Sequence, residues 1–285
     1  MRLLALLLFL FTSYQLQAAT SVWKISNGQH TLYLGGTVHY LSKADYPLPA
    51  AFDQAYRAAD QLVLETDIRG LNQVEVQQKM LALLSYPAGE TLDQKLSEDV
   101  LAQVAEYASK RGLPVGPLMR FKPGLFVVTA TALELALHDL ADTGVDEHYM
   151  QKAIEDSKAI GQLETVDEQI GFIADMGNGQ ENELIRYTLD DLEALPSLMQ
   201  KMVGSWRTGD LERLHQLAIA PYENQFPALF EDLVYQRNAK WVPHLQQLLT
   251  TPEVELVLVG VLHMVGDKGL VKLLEASGYQ VEKLD

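Results

Sequence analysis

Cysteine is absent from this 285-residue chain. Disulfides and thiolate metal ligands are therefore excluded, and any metal site has to draw on His, Asp and Glu. Positive charge is also scarce. The 22 Lys and Arg stand against 38 Asp and Glu, giving a formal net charge of −16. The acidic residues are spread along the chain rather than gathered in a tail, which reads as a solvated surface. Nucleic acid and anionic membrane surfaces are poor partners for such a field. Several catalytic signatures are missing too. The chain has no GxSxG, HExxH, Walker loop or GxGxxG, so nucleophilic-serine chemistry and phosphate cradles have no foothold. After the first residues no run is long and apolar enough for a stable membrane span.

What is present begins with an address. Met1-Arg2 is a short positive region, Leu3 to Phe11 is apolar, and Ser13 to Ala19 is polar and ends in small residues. This is the pattern of a secretory signal peptide over residues 1–19, cleaved near Ala18/Ala19, and it implies a periplasmic or secreted protein. With no cysteine for lipid attachment, a free protein is expected. Residues 20–285 suffice for a single domain whose core needs no covalent staples.

The chain reads as α/β at its ends and helical between them. VWKIS, Asn27-Gly28 and HTLYLGG form a hairpin signal, with a strand over Thr31–Gly36. A helix is expected over 49–59, then QLVLE as a buried strand ending at Glu65. From about 71 to 249 the apolar spacing is mostly helical. Within it, 124–140 is apolar nearly all round and reads as a central buried helix, and 159–164 as a short strand. The C-terminal part returns to strand (254–259), helix (267–276) and strand (279–284). The expected architecture is an α/β core from about 20–70 and 250–285, two strand-GxxH-helix-strand units, with a long mainly helical insertion at about 71–249.

The strongest functional signal is the repeated phrase. Gly36-Thr37-Val38-His39 follows one apolar run, and Gly260-Val261-Leu262-His263 follows the other. A lone GxxH carries little weight, because a histidine after a strand is usually a satisfied turn residue. Two in matching context are how a fold delivers distant imidazoles to one place. Ligands of open α/β sheets bind beyond the carboxyl ends of the strands, where His39, His263 and Glu65 all fall. Two neutral imidazoles and one carboxylate make a ligand set with open positions for water and substrate. Gly35, Gly36 and Gly260 permit a close backbone approach there.

The insertion adds two further residues, each with two readings. Glu164 follows the short expected strand, so it is either a second carboxylate near the site or an acid offsetting a helix N-terminus. Arg237, on a helix with Asn238 and Trp241, either clamps a substrate carboxylate or oxyanion or makes a helix-surface salt bridge. His30, His138, His148, His215 and His244 share no such context.

Taken together, LYLGGTVHYL, LVLETD, GVDEHYM, QLETVDEQ, WRTGDLERL, QRNAKW and VLVGVLHMVGDKGLVKLLEASGYQVEKL resemble the TraB/GumN family. That family includes the bacterial pheromone-shutdown proteins and the Tiki metalloproteases of animals. The resemblance covers nearly all of residues 20–285 in the family's order. It implies that His39, Glu65 and His263 belong to an active centre, with Arg237 at the family's RN position and Glu164 in its LExxxEQ segment. It further implies a divalent metal (manganese, cobalt or zinc) and a metal-dependent hydrolase acting on a peptide or a small ester. Glu65 is then a third ligand or the base that activates water. Distant relatives resemble erythromycin esterases and a haem-binding protein, so a non-catalytic metal-, haem- or peptide-binding protein is the alternative on the same scaffold.

Overall fold

The computed structural model describes residues 20–70, 73–223 and 225–285. The signal-peptide reading concerns residues 1–19 and lies outside them. Eight strands occur among the described residues: β1 (Val22–Ser26), β2 (Thr31–Thr37), β3 (Tyr40–Leu41), β4 (Gln61–Leu64), β5 (Asp142–Thr143), β6 (Ala159–Gln162), β7 (Glu255–Gly260) and β8 (Gln280–Lys283). Six of them form one sheet in the order β6-β4-β7-β2-β1-β8, while β3 and β5 pair separately. In the large sheet β6, β4, β7 and β2 run parallel, and β1 is antiparallel to both its neighbours.

Parallel strands are covered on both faces, which explains why these segments read as continuous apolar runs. Leu256 and Leu258 of β7 face one core with Leu62 and Leu64 of β4, against helices Ala50–Ala58 and Val145–Glu155. Val257 and Val259 face the opposite core with Leu32, Leu34 and Val63, against helices Gln236–Leu248 and Leu270–Ala276. Burying one such side chain contributes roughly 1.5–3 kcal/mol, so both faces pin the register.

The termini build most of the sheet, as expected, and the hairpin turns at Asn27-Gly28 with Gly28 at φ +89°. The segment 71–249 is not wholly outside the core, however. Its β6 pairs with β4 and forms the sheet's outer edge. The remainder makes a helical lobe with its own core, where Leu92, Val100, Val104, Phe126 and Ile185 pack together. Arg111 and the buried Glu134 join two of its helices through paired hydrogen bonds of 2.6 and 2.9 Å.

One expectation needs correction. The apolar segment 124–140 is helix Pro123–Leu137, but it is not buried all round: Val128 is 43% and Leu137 56% exposed. Apolar composition does not distinguish an enclosed helix from one lying over a small lobe. Within the helical lobe, Glu181–Leu192 and Leu195–Thr208 are separate helices, the chain breaking just before Pro196. Proline lacks the N–H of a helix interior and fits the first turn of the second helix.

Candidate active site

The four adjacent parallel strands each deliver chemistry beyond their carboxyl ends. β6 leads to Glu164, β4 to Glu65, β7 to Gly260 and the 3-10 turn bearing His263, and β2 to His39. The two GxxH phrases are thus on paired neighbours, but they are offset by one residue: Thr37, not Gly36, is level with Gly260. The His39 side chain is 61% exposed at the mouth, whereas His263 is buried.

Gly260 lies at the centre. A β-carbon there would be 3.3 Å from Glu65 Oε1, 3.6 Å from His39 Nε2 and 3.8 Å from His263 Cδ2. Any side chain would intrude on the space these three groups share. The Gly260 amide instead donates to Glu65 Oε1 at 2.7 Å. Gly36 plays a packing role, since a β-carbon there would press on Val261, and its carbonyl accepts the Trp206 indole N–H at 2.6 Å.

Each imidazole is held from behind. His39 Nδ1 donates to Asp146 Oδ2 at 2.9 Å, and Thr37 Oγ1 donates to Asp146 Oδ1 at 2.7 Å. Asp146 sits in the first turn of helix Val145–Glu155, where the helix dipole favours its charge. This helix start can reach β2 because residue 144 is glycine. A β-carbon there would fall 2.1 Å from the His39 carbonyl oxygen. His263 is held by Asn238, whose Nδ2 donates to the carbonyls of His263 (3.0 Å) and Lys268 (2.9 Å). Those bonds turn Asn238 Oδ1 toward His263 Nδ1 at 2.7 Å, so that ring nitrogen carries the proton. His263 Nε2 is then a lone pair, and it accepts from Arg237 Nη1 at 3.2 Å.

Arg237 is buried, not a helix-surface residue. Nε and Nη2 form a fork with Glu164 at 3.1 and 2.7 Å, and Nη2 also reaches Glu65 Oε2 at 2.5 Å. Nη1 serves the Leu233 carbonyl at 3.0 Å as well as His263. All five guanidinium N–H groups are therefore engaged. The guanidinium also lies 4.7 Å from the centre of the Trp241 ring, which packs on His263. The chain reaches this geometry through a π-helical turn, Glu231–Tyr235, immediately before helix Gln236–Leu248. Such turns re-aim side chains and recur at functional sites.

The electrostatics follow from these partners. The Asp146 carboxylate raises His39 to about 9, so it is charged at neutral pH. Burial lowers His263 to about 3, leaving it neutral. Burial alone would raise Glu65, but the charges of Arg237 and His39, with the Gly260 amide, oppose it, and the carboxyl is held at about 2. With His263 neutral, Arg237 is the close partner that sustains this ionisation. Burial pushes Glu164 upward, against the pull of the Arg237 fork.

All five residues singled out from sequence, His39, Glu65, Glu164, Arg237 and His263, meet here. The other five histidines make no hydrogen bond to this group; His138 and His148, for example, contact Glu134 and Tyr46 elsewhere. Sequence reasoning missed the anchors Asp146 and Asn238, and also Gln169, whose amide donates to Glu65 Oε2 at 3.2 Å. The available signal was their place inside GVDEHYM, QRNAKW and QLETVDEQ. In the last, Thr165 caps helix Val166–Asp175 with Glu168 in a capping box, and the next residue is Gln169. Among the described residues no three imidazoles or carboxylates converge on one point in metal-ligand geometry. Arg237 lies between His263 and both glutamates.

The chain is similar to a protein of Escherichia coli (strain K12) named uncharacterized protein YbaP, with 25% identity over 252 residues, covering 87% of this chain and 89% of the relative. A Shigella flexneri protein of the same name matches to the same extent. No solved structure matches the chain. The sequence profile of the TraB/PrgY/gumN family matches residues 21–283, and the chain belongs to that family.

Proposed function

We propose that this protein is a periplasmic or secreted metal-dependent hydrolase of peptide or ester bonds. The observation that carries the reading is the pair of imidazoles. Each is fixed at Nδ1 by a second side chain; His39 Nε2 faces the space over Gly260 that Glu65 Oε1 also faces, and His263 Nε2 lies 3.8 Å from Glu65 Oε1. Metal-ligating histidines have this construction, in which the outer nitrogen donates to a carboxylate or carbonyl and the inner one is presented to the ion.

His39, His263 and Glu65 would hold the ion. When bound, it would polarise the scissile carbonyl and acidify a water molecule. The residues must adjust to receive it. Arg237 Nη1 has to release the His263 lone pair, and His39 has to give up its Nε2 proton. Arg237 otherwise keeps Glu65 ionised at a site where burial favours the neutral acid, and its fork with Glu164 fixes the guanidinium plane. An ionised Glu65 is a ligand or a proton acceptor for water, both consistent with its contacts.

The test is turnover. A screen of blocked peptides and esters with manganese, cobalt or zinc should find a substrate that is cleaved by the wild type. Neither His39→Ala nor His263→Ala should cleave it, although helical circular dichroism stays intact in both. Turnover retained in both variants would refute the reading. A Soret band in the purified protein would instead favour the haem-binding alternative.

A further inference from the structure

Beside the site lies a cavity of about 270 Å³, and we propose that it receives a basic side chain, Lys or Arg, of the substrate. This assignment rests on the hydrolase reading for its link to catalysis, but it makes a separate claim about recognition. The cavity is enclosed by the end of helix Val166–Asp175, the start of helix Glu181–Leu192 and the 226–236 segment with its π-helical turn. It shares two walls with the active site. Leu233 lines the cavity and gives its carbonyl to Arg237 Nη1 at 3.0 Å. Phe172 also lines it, and its ring centre is 5.6 Å from the Arg237 guanidinium carbon. One turn before Phe172 on the same helix, Gln169 bonds Glu65. A group seated in the cavity is therefore next to the reacting centre.

The lining states the chemistry of the occupant. Phe172, Leu229 and Leu233 supply apolar surface, while Asp175 and Asp232 supply two carboxylates. Asp232 accepts only the neutral Gln236 amide at 3.1 Å, and neither carboxylate is ion-paired among the described residues. The cations nearby, Arg237 and Lys240, lie over Phe172 and do not line the cavity. Positive charge thus marks the Phe172 end and negative charge the aspartate walls. Lys and Arg match this layout, because their aliphatic stems cover apolar surface while the charged head reaches the carboxylates. An acidic side chain would meet two like charges.

Binding can be read independently of turnover. The probes are N-acetyl-X-Ala-amide peptides with X = Arg, norleucine or Glu, titrated calorimetrically into the full chain. The Arg peptide should bind at least about tenfold more tightly than the norleucine peptide, and the Glu peptide most weakly. Asp175→Asn/Asp232→Asn, at exposed positions, should reduce the Arg preference to within about twofold. Leu229→Trp should fill the cavity and weaken the Arg and norleucine peptides alike. No Arg preference in the wild type, or a preference that survives the aspartate substitutions, would overturn the proposal. Selective binding without cleavage, in the wild type as in His263→Ala, would leave the pocket standing and refute the hydrolase reading alone.

Discussion

The two GxxH histidines come from the same four-residue phrase on paired strands, yet their environments are opposite. His39 lies at the mouth against a carboxylate and is held charged, whereas His263 is buried against a neutral amide and is held uncharged. The residue that grips the outer ring nitrogen, together with burial, sets what the inner nitrogen offers. A repeat in sequence has become an asymmetric pair, one imidazole carrying a proton and the other a lone pair. Arg237 sharpens the difference by donating to the neutral ring and stabilising the carboxylate between them.

That contrast can be broken at several points. Removing the shared cation should have the largest effect. Arg237→Ala leaves Glu65 and Glu164 buried without their partner, and thermal or denaturant unfolding should register a loss of about 3–5 kcal/mol. Arg237→Lys should recover little, because an ammonium cannot bridge both carboxylates and the Leu233 carbonyl as the planar fork does. A variant as stable as wild type would show that the cluster does not depend on Arg237.

Exchanging the anchors addresses the asymmetry itself. Asp146→Asn removes the charge that raises His39, so its ring should titrate well below 9, as followed by NMR. Metal affinity or turnover should fall by about 10–100-fold. Asn238→Asp should move His263 the other way, upward from about 3. Unchanged titrations would remove the anchors from the account.

A smaller effect is expected far from the site. Glu255, at the opposite end of β7, is buried and raised from 4.5 to about 7, chiefly by burial and then by Glu253 and Asp60. The folded state therefore holds a proton that the unfolded chain has already lost. Stability should fall as pH rises between about 4.5 and 7, and Glu255→Gln should flatten that slope in denaturation measured across this window. A slope identical in the variant would exclude Glu255 as its source.

The sheet and the strand-end residues were legible because each strand is a short apolar run bounded by turn signals, with a chemically distinctive residue just past its end. Arg237 was legible as a candidate but not as a buried hub. Helical spacing placed it on a helix, whereas its burial follows from the packing of 231–248 over the strand ends. Asp146 and Asn238 stayed hidden for a similar reason. Asp146 lies 107 positions from the ring it grips, and Asn238 lies 25 from His263, with no local pattern linking either pair. The exposed side of helix Pro123–Leu137 was misread because a uniformly apolar helix offers no periodicity to orient it.

The central claim is that these unlike imidazoles and Glu65 form one divalent-metal site. It is tested most directly by measuring bound metal by mass spectrometry in the purified protein beside the His39→Ala/His263→Ala double variant. The account predicts about one divalent ion per chain in the wild type and none in the variant. Equal metal content in the two proteins, or no metal in either after incubation with manganese, cobalt and zinc, would contradict it.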